Sequence, residues 1–284
     1  MKIMVIVVLT LFVAASAVGI VLANNSDAAF FDSMPWITIV AAGVGFILGA
    51  ARALLKGKEQ INYGEVNRHG SGSFIEHWGT ALGIFILLAS AIILGFLFFP
   101  SRVVTPVETI FPLNIHFIGV LVTLFGGFFF AGDYLFTRKF DRLLPNIPDI
   151  FGGLFGKYFL RRKWSEEDKY LSSQKVAFLG FALFGGVLLI SGAFKVAAHI
   201  WELNAGWWSF FTYVHDVFSL LFMFLLVVHV LLVLGLREWP ALKSWITGKV
   251  TEEVAEEDYP VWHEELKTGK RRGYKLFGYK KPWL

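Results

Sequence analysis

The sequence predicts an all-α integral membrane protein: a bundle of four core transmembrane helices, preceded by one or two further N-terminal spans. Three observations carry this. Of 284 residues, 56% are hydrophobic and 17% charged, with a mean hydropathy of +0.60. Several apolar runs approach or exceed the ~18 residues that mark a membrane span. Basic residues keep to alternate connections, the pattern that orients membrane proteins.

In chain order the apolar segments run from Ile3 to Leu22, Trp36 to Leu55, His77 to Phe99, Leu113 to Tyr134, Val176 to Ile200 and Trp208 to Leu236. This divides the chain into an N-terminal apolar segment (1–24), an additional transmembrane helix (34–56), a four-helix core (66–236) and a C-terminal extension (237–284). The first segment, MKIMVIVVLTLFVAASAVGIVLA, reads equally as a membrane anchor or as a signal peptide. Its basic start and small residues suit cleavage, and its length suits an anchor. With the N-terminus inside, 24 of the 26 Lys and Arg fall on the inner side. Only Arg102 and Lys195 fall outside. The orientation puts the C-terminal extension on the inner, cytoplasmic side.

Composition also excludes classes. With no cysteine, the chain holds no disulfide, no cysteine-bound iron–sulfur cluster and no covalently attached c-type haem. The charge of +4 sits in loops between spans and is no nucleic-acid signal. No phosphate-binding glycine loop, nucleophile elbow or zinc helix motif occurs. In the loop before the third core helix, Phe151, Leu154, Phe155, Tyr158 and Phe159 form an apolar stripe beside Lys157, Arg161, Arg162 and Lys163. That pattern fits an interfacial helix on the inner leaflet.

The histidines carry the chemistry. In VHDVFSLLFMFLLVVHV, His215 and His229 leave one helix on nearly the same face, about 40° from alignment and roughly 21 Å apart along the axis. His77 begins its helix at the inner surface and His116 begins its helix at the outer surface. His77 and His229 thus share an inner depth, His116 and His215 an outer one. Two neutral imidazoles at one depth on different helices describe bis-histidine ligation of haem b iron, suited to electron transfer. Two such haems stacked across the bilayer give electrons a path through it. Zinc would lack a third protein ligand. Histidines merely hydrogen-bonded between helices are the structural alternative. Gly79, Gly83, Gly126, Gly127, Gly185, Gly186 and Gly192 permit close approach of helices and a flat macrocycle. His69, His199 and His263 lie outside the pattern and read as non-ligands.

At these residues the chain resembles the cytochrome b (gamma) subunit of membrane-bound formate dehydrogenases, over roughly residues 66 to 266. The likeness lies in IEHWGTALG, LNIHFIGV, DKYLSSQKVAF, the fourth-helix segment quoted above, and ITGKVTEEVAEEDYPVWHEEL. The tail points most narrowly to that family. The resemblance implies a prokaryotic cytoplasmic membrane and, within it, a four-helix di-haem core with an outer haem on His116 and His215 and an inner haem on His77 and His229. It implies a periplasmic iron–sulfur subunit and a catalytic dehydrogenase subunit as partners, docking near loops 100–112 and 201–207, where Trp201, Trp207 and Trp208 serve as interfacial anchors or partner contacts. Quinone would accept electrons near the inner haem and take protons from the cytoplasm. Where the family commonly reads KYNxGQK this chain has KYLSSQK, and EDYP replaces a tail segment that often carries two histidines. With Leu171 in place of the asparagine, Tyr170, Ser173 and Gln174 are the polar quinone candidates. The alternative is that these residues start the third core helix, with Ser172 or Ser173 as its N-cap. No substrate-oxidising site is expected in this chain. A cytochrome b partner of a hydrogenase or another molybdenum oxidoreductase is the nearest competing function, and a haem-free anchor or transporter the competitor of another class.

Overall fold

A computed structural model describes residues 10, 14, 15, 17–55, 61, 62, 64–162, 166–235 and 239–279. Most of the first apolar segment lies outside the described residues, and with it the choice between anchor and signal peptide. Five described helices are long and apolar enough to cross a membrane: α1 (Ile37–Leu55), α2 (Ser71–Leu94), α3 (Pro106–Thr137), α4 (Ser172–Ile200) and α5 (Ala205–Gly235). Large apolar side chains such as Leu183, Ile190, Phe224 and Leu231 face outward, as they must where lipid is the solvent. The protein is an all-α integral membrane bundle.

Three boundaries differ from the sequence expectation by five residues or more. α2 starts at Ser71, so that His77 lies six residues into it rather than at its beginning. The other two have a local reason. α2 stops at Leu94 rather than Phe99, because Gly95 adopts φ +85° and its N–H closes the last turn on Ala91 O at 2.8 Å. α3 starts at Pro106, seven residues before Leu113. Pro112 reads as a helix breaker but lies within the helix. Upstream, Thr105 and Glu108 form a capping box: Thr105 Oγ1 accepts from Glu108 N at 3.3 Å, and Glu108 Oε2 accepts from Thr105 N at 3.2 Å.

The described chain forms two compact units, each assembled from three stretches. The first comprises Met1–Leu55, Ser71–Phe136 and Val187–Met223. Within it α1 and α3 pack closely. Gly45 and Gly49 lie against the carbonyls of Phe125 and Phe129, and Gly132 against that of Phe46, so any Cβ there would strike backbone. α2 meets α3 in the same way, with Gly83 on Thr123 and Gly126 on Thr80. Of the other core glycines singled out in the sequence, Gly127 and Gly186 face open space. Near one end, the wholly buried Asn114 accepts from Phe30 N (2.7 Å) and donates to Ala28 O (3.1 Å), tying the segment before α1 onto α3.

The second unit comprises Lys56–Gly70, Thr137–Gly186 and Phe224–Leu284. It contains a three-stranded antiparallel sheet not expected from the sequence: β1 (Ile61–Asn62), β2 (Glu65–Asn67) and β3 (Lys249–Thr251), in that order. Strands of two or three residues show no alternation to read. The C-terminal extension is ordered, with α6 (Trp239–Thr247), α7 (Glu252–Asp258) and α8 (Pro260–Thr268). Val66, Leu171, Ala241, Val250, Ala255, Tyr259 and Trp262 form its buried core. Arg68 joins the pieces: its guanidinium donates to Lys169 O (2.7 and 3.1 Å), Ser244 Oγ (2.8 Å) and Gln174 Oε1 (3.1 Å), and lies 4.1 Å from the Tyr259 ring centroid.

The inner-loop stripe divides over two faces. Asp149–Phe159 is helical with π-type bonding. Phe151, Phe155 and Phe159 are exposed, while Leu154 and Tyr158 face the protein, the Tyr158 hydroxyl donating to Ser173 Oγ at 3.0 Å.

Candidate cofactor site

His116 and His215 occupy like positions along their helices. Each lies ten residues into its helix, about 15 Å from the end that the charge pattern assigns to the outside. His116 therefore sits well inside the span, not at the surface where the apolar run alone put it. Both histidines belong to the first unit.

Each ring is held at one edge. Ser90 on α2 places its Oγ 2.9 Å from His116 Nδ1, and Ser191 on α4 places its Oγ 3.0 Å from His215 Nδ1. With Nδ1 engaged, Nε2 is the nitrogen available to a metal. Beside His215, Gly192 keeps the space flat: a Cβ there would come within 3.2 Å of Cε1. Two imidazoles at one depth, each with one nitrogen occupied by a hydroxyl, suit the axial positions of a haem iron. Among the described residues no cluster of three His, Asp or Glu side chains is arranged to hold a bare metal ion. Lys195, one turn beyond Ser191, reaches to 5.8 Å from the Trp208 ring centroid.

His77 and His229 are held in other ways. A π-type turn, Ile75–Gly79, interrupts α2 around His77. Such single turns recur at functional sites because they re-aim a side chain. Trp78 meets the His77 ring edge-on at 4.8 Å. Glu76, next to it and buried, pairs with Arg52 at 3.2 Å, and Arg52 also pairs with Asp133. In the second unit, His229 meets Phe181 edge-on at 5.6 Å.

The remaining histidines meet other neighbours. His69 is buried and stacks on Trp245 at 3.8 Å. His263 is buried beside Glu252 (3.3 Å), and His199 lies at the surface beside Asp32 (3.3 Å).

Tyr170, Ser173 and Gln174 gather at the start of α4. Gln174 Oε1 accepts from Leu171 N (3.2 Å) as well as from Arg68, so it serves the helix start. Ser172 is the first helical residue. Its hydroxyl lies 3.0 Å from Glu167 Oε2 and 3.1 Å from Asp149 Oδ1. Lys175 and Asp149, both fully buried, pair at 3.0 Å. Sequence reading missed this cluster, along with Ser90, Ser191 and the Arg52 group, because Ser and single charges carry no periodic signal. The charges at Arg52, Glu76 and Asp133, each at the edge of an apolar run, were the available hint.

A bundle of membrane-spanning helices with His116 and His215 inside its spans, each beside a serine hydroxyl, fits a membrane cytochrome b. The chain belongs to the prokaryotic cytochrome b561 family, whose model matches residues 68–248, more than half of its length. Haem b is the cofactor of that family and electron transport its role. No curated protein matches the chain.

Proposed function

We propose that this chain is the electron-transfer subunit of a multisubunit oxidoreductase of the formate dehydrogenase type. It would hold two haems b and connect a periplasmic iron–sulfur partner and its catalytic dehydrogenase subunit to quinone on the cytoplasmic side. The observation that carries the reading is the outer pair: His116 and His215, equal in depth and each held at Nδ1 by a serine. The inner pair, His77 and His229, rests on the fourteen-residue spacing in α5 and on the resemblance.

When bound between two imidazoles, haem b supplies a six-coordinate iron that takes up and releases one electron at a time. The chain's own part is to present Nε2, exclude water with apolar helices, and fix each ring. At the quinone end, Tyr170, Ser173 and Gln174 remain the proposed contacts. Because they are packed into the start of α4, they would present a pre-formed edge rather than mobile arms, next to Arg68, Tyr158 and the Glu167 carboxyl. The formate dehydrogenase assignment rests on the tail beyond the family match, TEEVAEEDYPVWHEEL, which folds here as α7 and α8.

The test combines subunit identification with spectra of the purified complex. Co-purification of a molybdenum-type formate dehydrogenase subunit and an iron–sulfur subunit, with two haems b per chain, supports the proposal. A nickel-containing hydrogenase partner replaces the formate reading and keeps the cytochrome b one. A chain isolated without haem absorption contradicts both.

A further inference from the structure

The two Ser–His contacts share more than distance. Ser90 Oγ lies 2.8 Å from Ile86 O and 3.0 Å from Leu87 O on its own helix. Ser191 Oγ lies 2.7 Å from Val187 O and 3.2 Å from Leu188 O on its own. In each case the single hydroxyl proton is directed back to the preceding turn, a common habit of serine in apolar helices. The oxygen that then faces the imidazole has lone pairs to offer and no proton. The histidine must therefore donate, which fixes the proton on Nδ1 and leaves the Nε2 lone pair. A hydroxyl that donates while accepting is polarised, and the chain Nδ1–H to Oγ–H to carbonyl strengthens cooperatively. Both serines are 1% exposed, so water is a poor substitute.

We infer that Ser90 and Ser191 are paired positioning residues that fix the Nδ1–H tautomer of His116 and His215 and set the donor strength of these two imidazoles toward the outer haem iron. The inference rests on the ligand assignment proposed above. An imidazole whose Nδ1–H is drawn toward an acceptor is the more basic ligand at Nε2. It stabilises the ferric state, so the serines hold the outer haem at a lower potential than bare ligation would. Each serine comes from a helix neighbouring that of its histidine: α2 serves α3 and α4 serves α5.

The experiment is a spectroelectrochemical titration of the whole complex carrying Ser90→Ala, Ser191→Ala or both, beside Ser90→Cys and Ser191→Cys, which keep a weaker acceptor. Haem content and the low-spin ferric electron paramagnetic resonance signal are read on the same samples. The expected result is two haems retained. The outer haem potential should move upward in each Ala variant, further in the double variant, and less in the Cys variants, with the inner haem unmoved. An unchanged outer potential in the double Ala variant with both haems present overturns the inference. So does loss of the outer haem in both Ala and Cys variants, which would make the serines structural supports. Failure of the underlying ligand assignment looks different: His116→Ala and His215→Ala would then keep the outer haem.

Discussion

Arg68 and Glu167 show what single side chains do at the proposed inner end. Arg68 is buried, donates to three residues, Lys169, Gln174 and Ser244, and lies over Tyr259. Arg68→Ala leaves the Lys169 carbonyl and Gln174 Oε1 short of a charged donor. With charge-assisted bonds worth about 1.5–3 kcal/mol each, the loss should be on the order of 3 kcal/mol. It should lower the thermal midpoint of the complex in detergent, and Arg68→Lys should not restore it, because an ammonium lacks the planar fork. Glu167 is a carboxyl 1% exposed, and burial raises its pKa to about 7, while Lys157, Lys175 and the Ser172 bonds oppose that rise. The folded state therefore binds its proton more tightly than the unfolded state. Its contribution to stability is full below about pH 4.5 and is lost as pH rises through about 7. Glu167→Gln, a neutral mimic, should flatten the stability profile between those values. A variant whose midpoint keeps the wild-type slope across that window contradicts the assignment.

At the scale of elements, α2 and α3 were legible as apolar runs, but not their ends or what holds them together. Hydropathy counts residues that prefer lipid, so it stopped at Pro112 and ran past Gly95, where backbone conformation rather than polarity decides. The depth of His116 was misjudged for that reason: it lies ten residues into α3, as His215 does into α5. The glycine signal was read correctly at Gly83 and Gly126 and too broadly at Gly127 and Gly186, because a sequence does not show which face a neighbour occupies. α1 lies outside the family match, yet Gly45 and Gly49, one helical turn apart, bring it against α3. Gly83→Leu should force α2 away from Thr123. The cost is about 1–3 kcal/mol of overpacking, read as a lower thermal midpoint and reduced haem retention. Gly127→Leu, which meets open space, should change neither. Equal effects at the two positions would contradict the close α2–α3 crossing.

For the whole molecule, composition and charge pattern were enough to identify a helical membrane protein, and the four spaced histidines were enough to suggest its cofactor. The proposed partners leave the weakest trace, since the loops 100–112 and 201–207 carry no periodicity. If the periplasmic subunit docks near 100–112 and 201–207, photo-crosslinkers at Val104, Val107 and Trp201, all strongly exposed, should capture the iron–sulfur subunit, and those at Phe277 on the tail should not. Capture through Phe277 alone would reverse the proposed direction of electron entry. The central claim is that two depth-matched histidine pairs each hold one haem b. Its most direct measurement is haem stoichiometry and reduced-minus-oxidised spectra of the purified complex with His215→Ala or His229→Ala, the two ends of one helix. The account predicts one haem left in each variant, the outer lost in the first and the inner in the second, with distinct remaining α-bands. Two haems retained with unchanged spectra in both variants would contradict it.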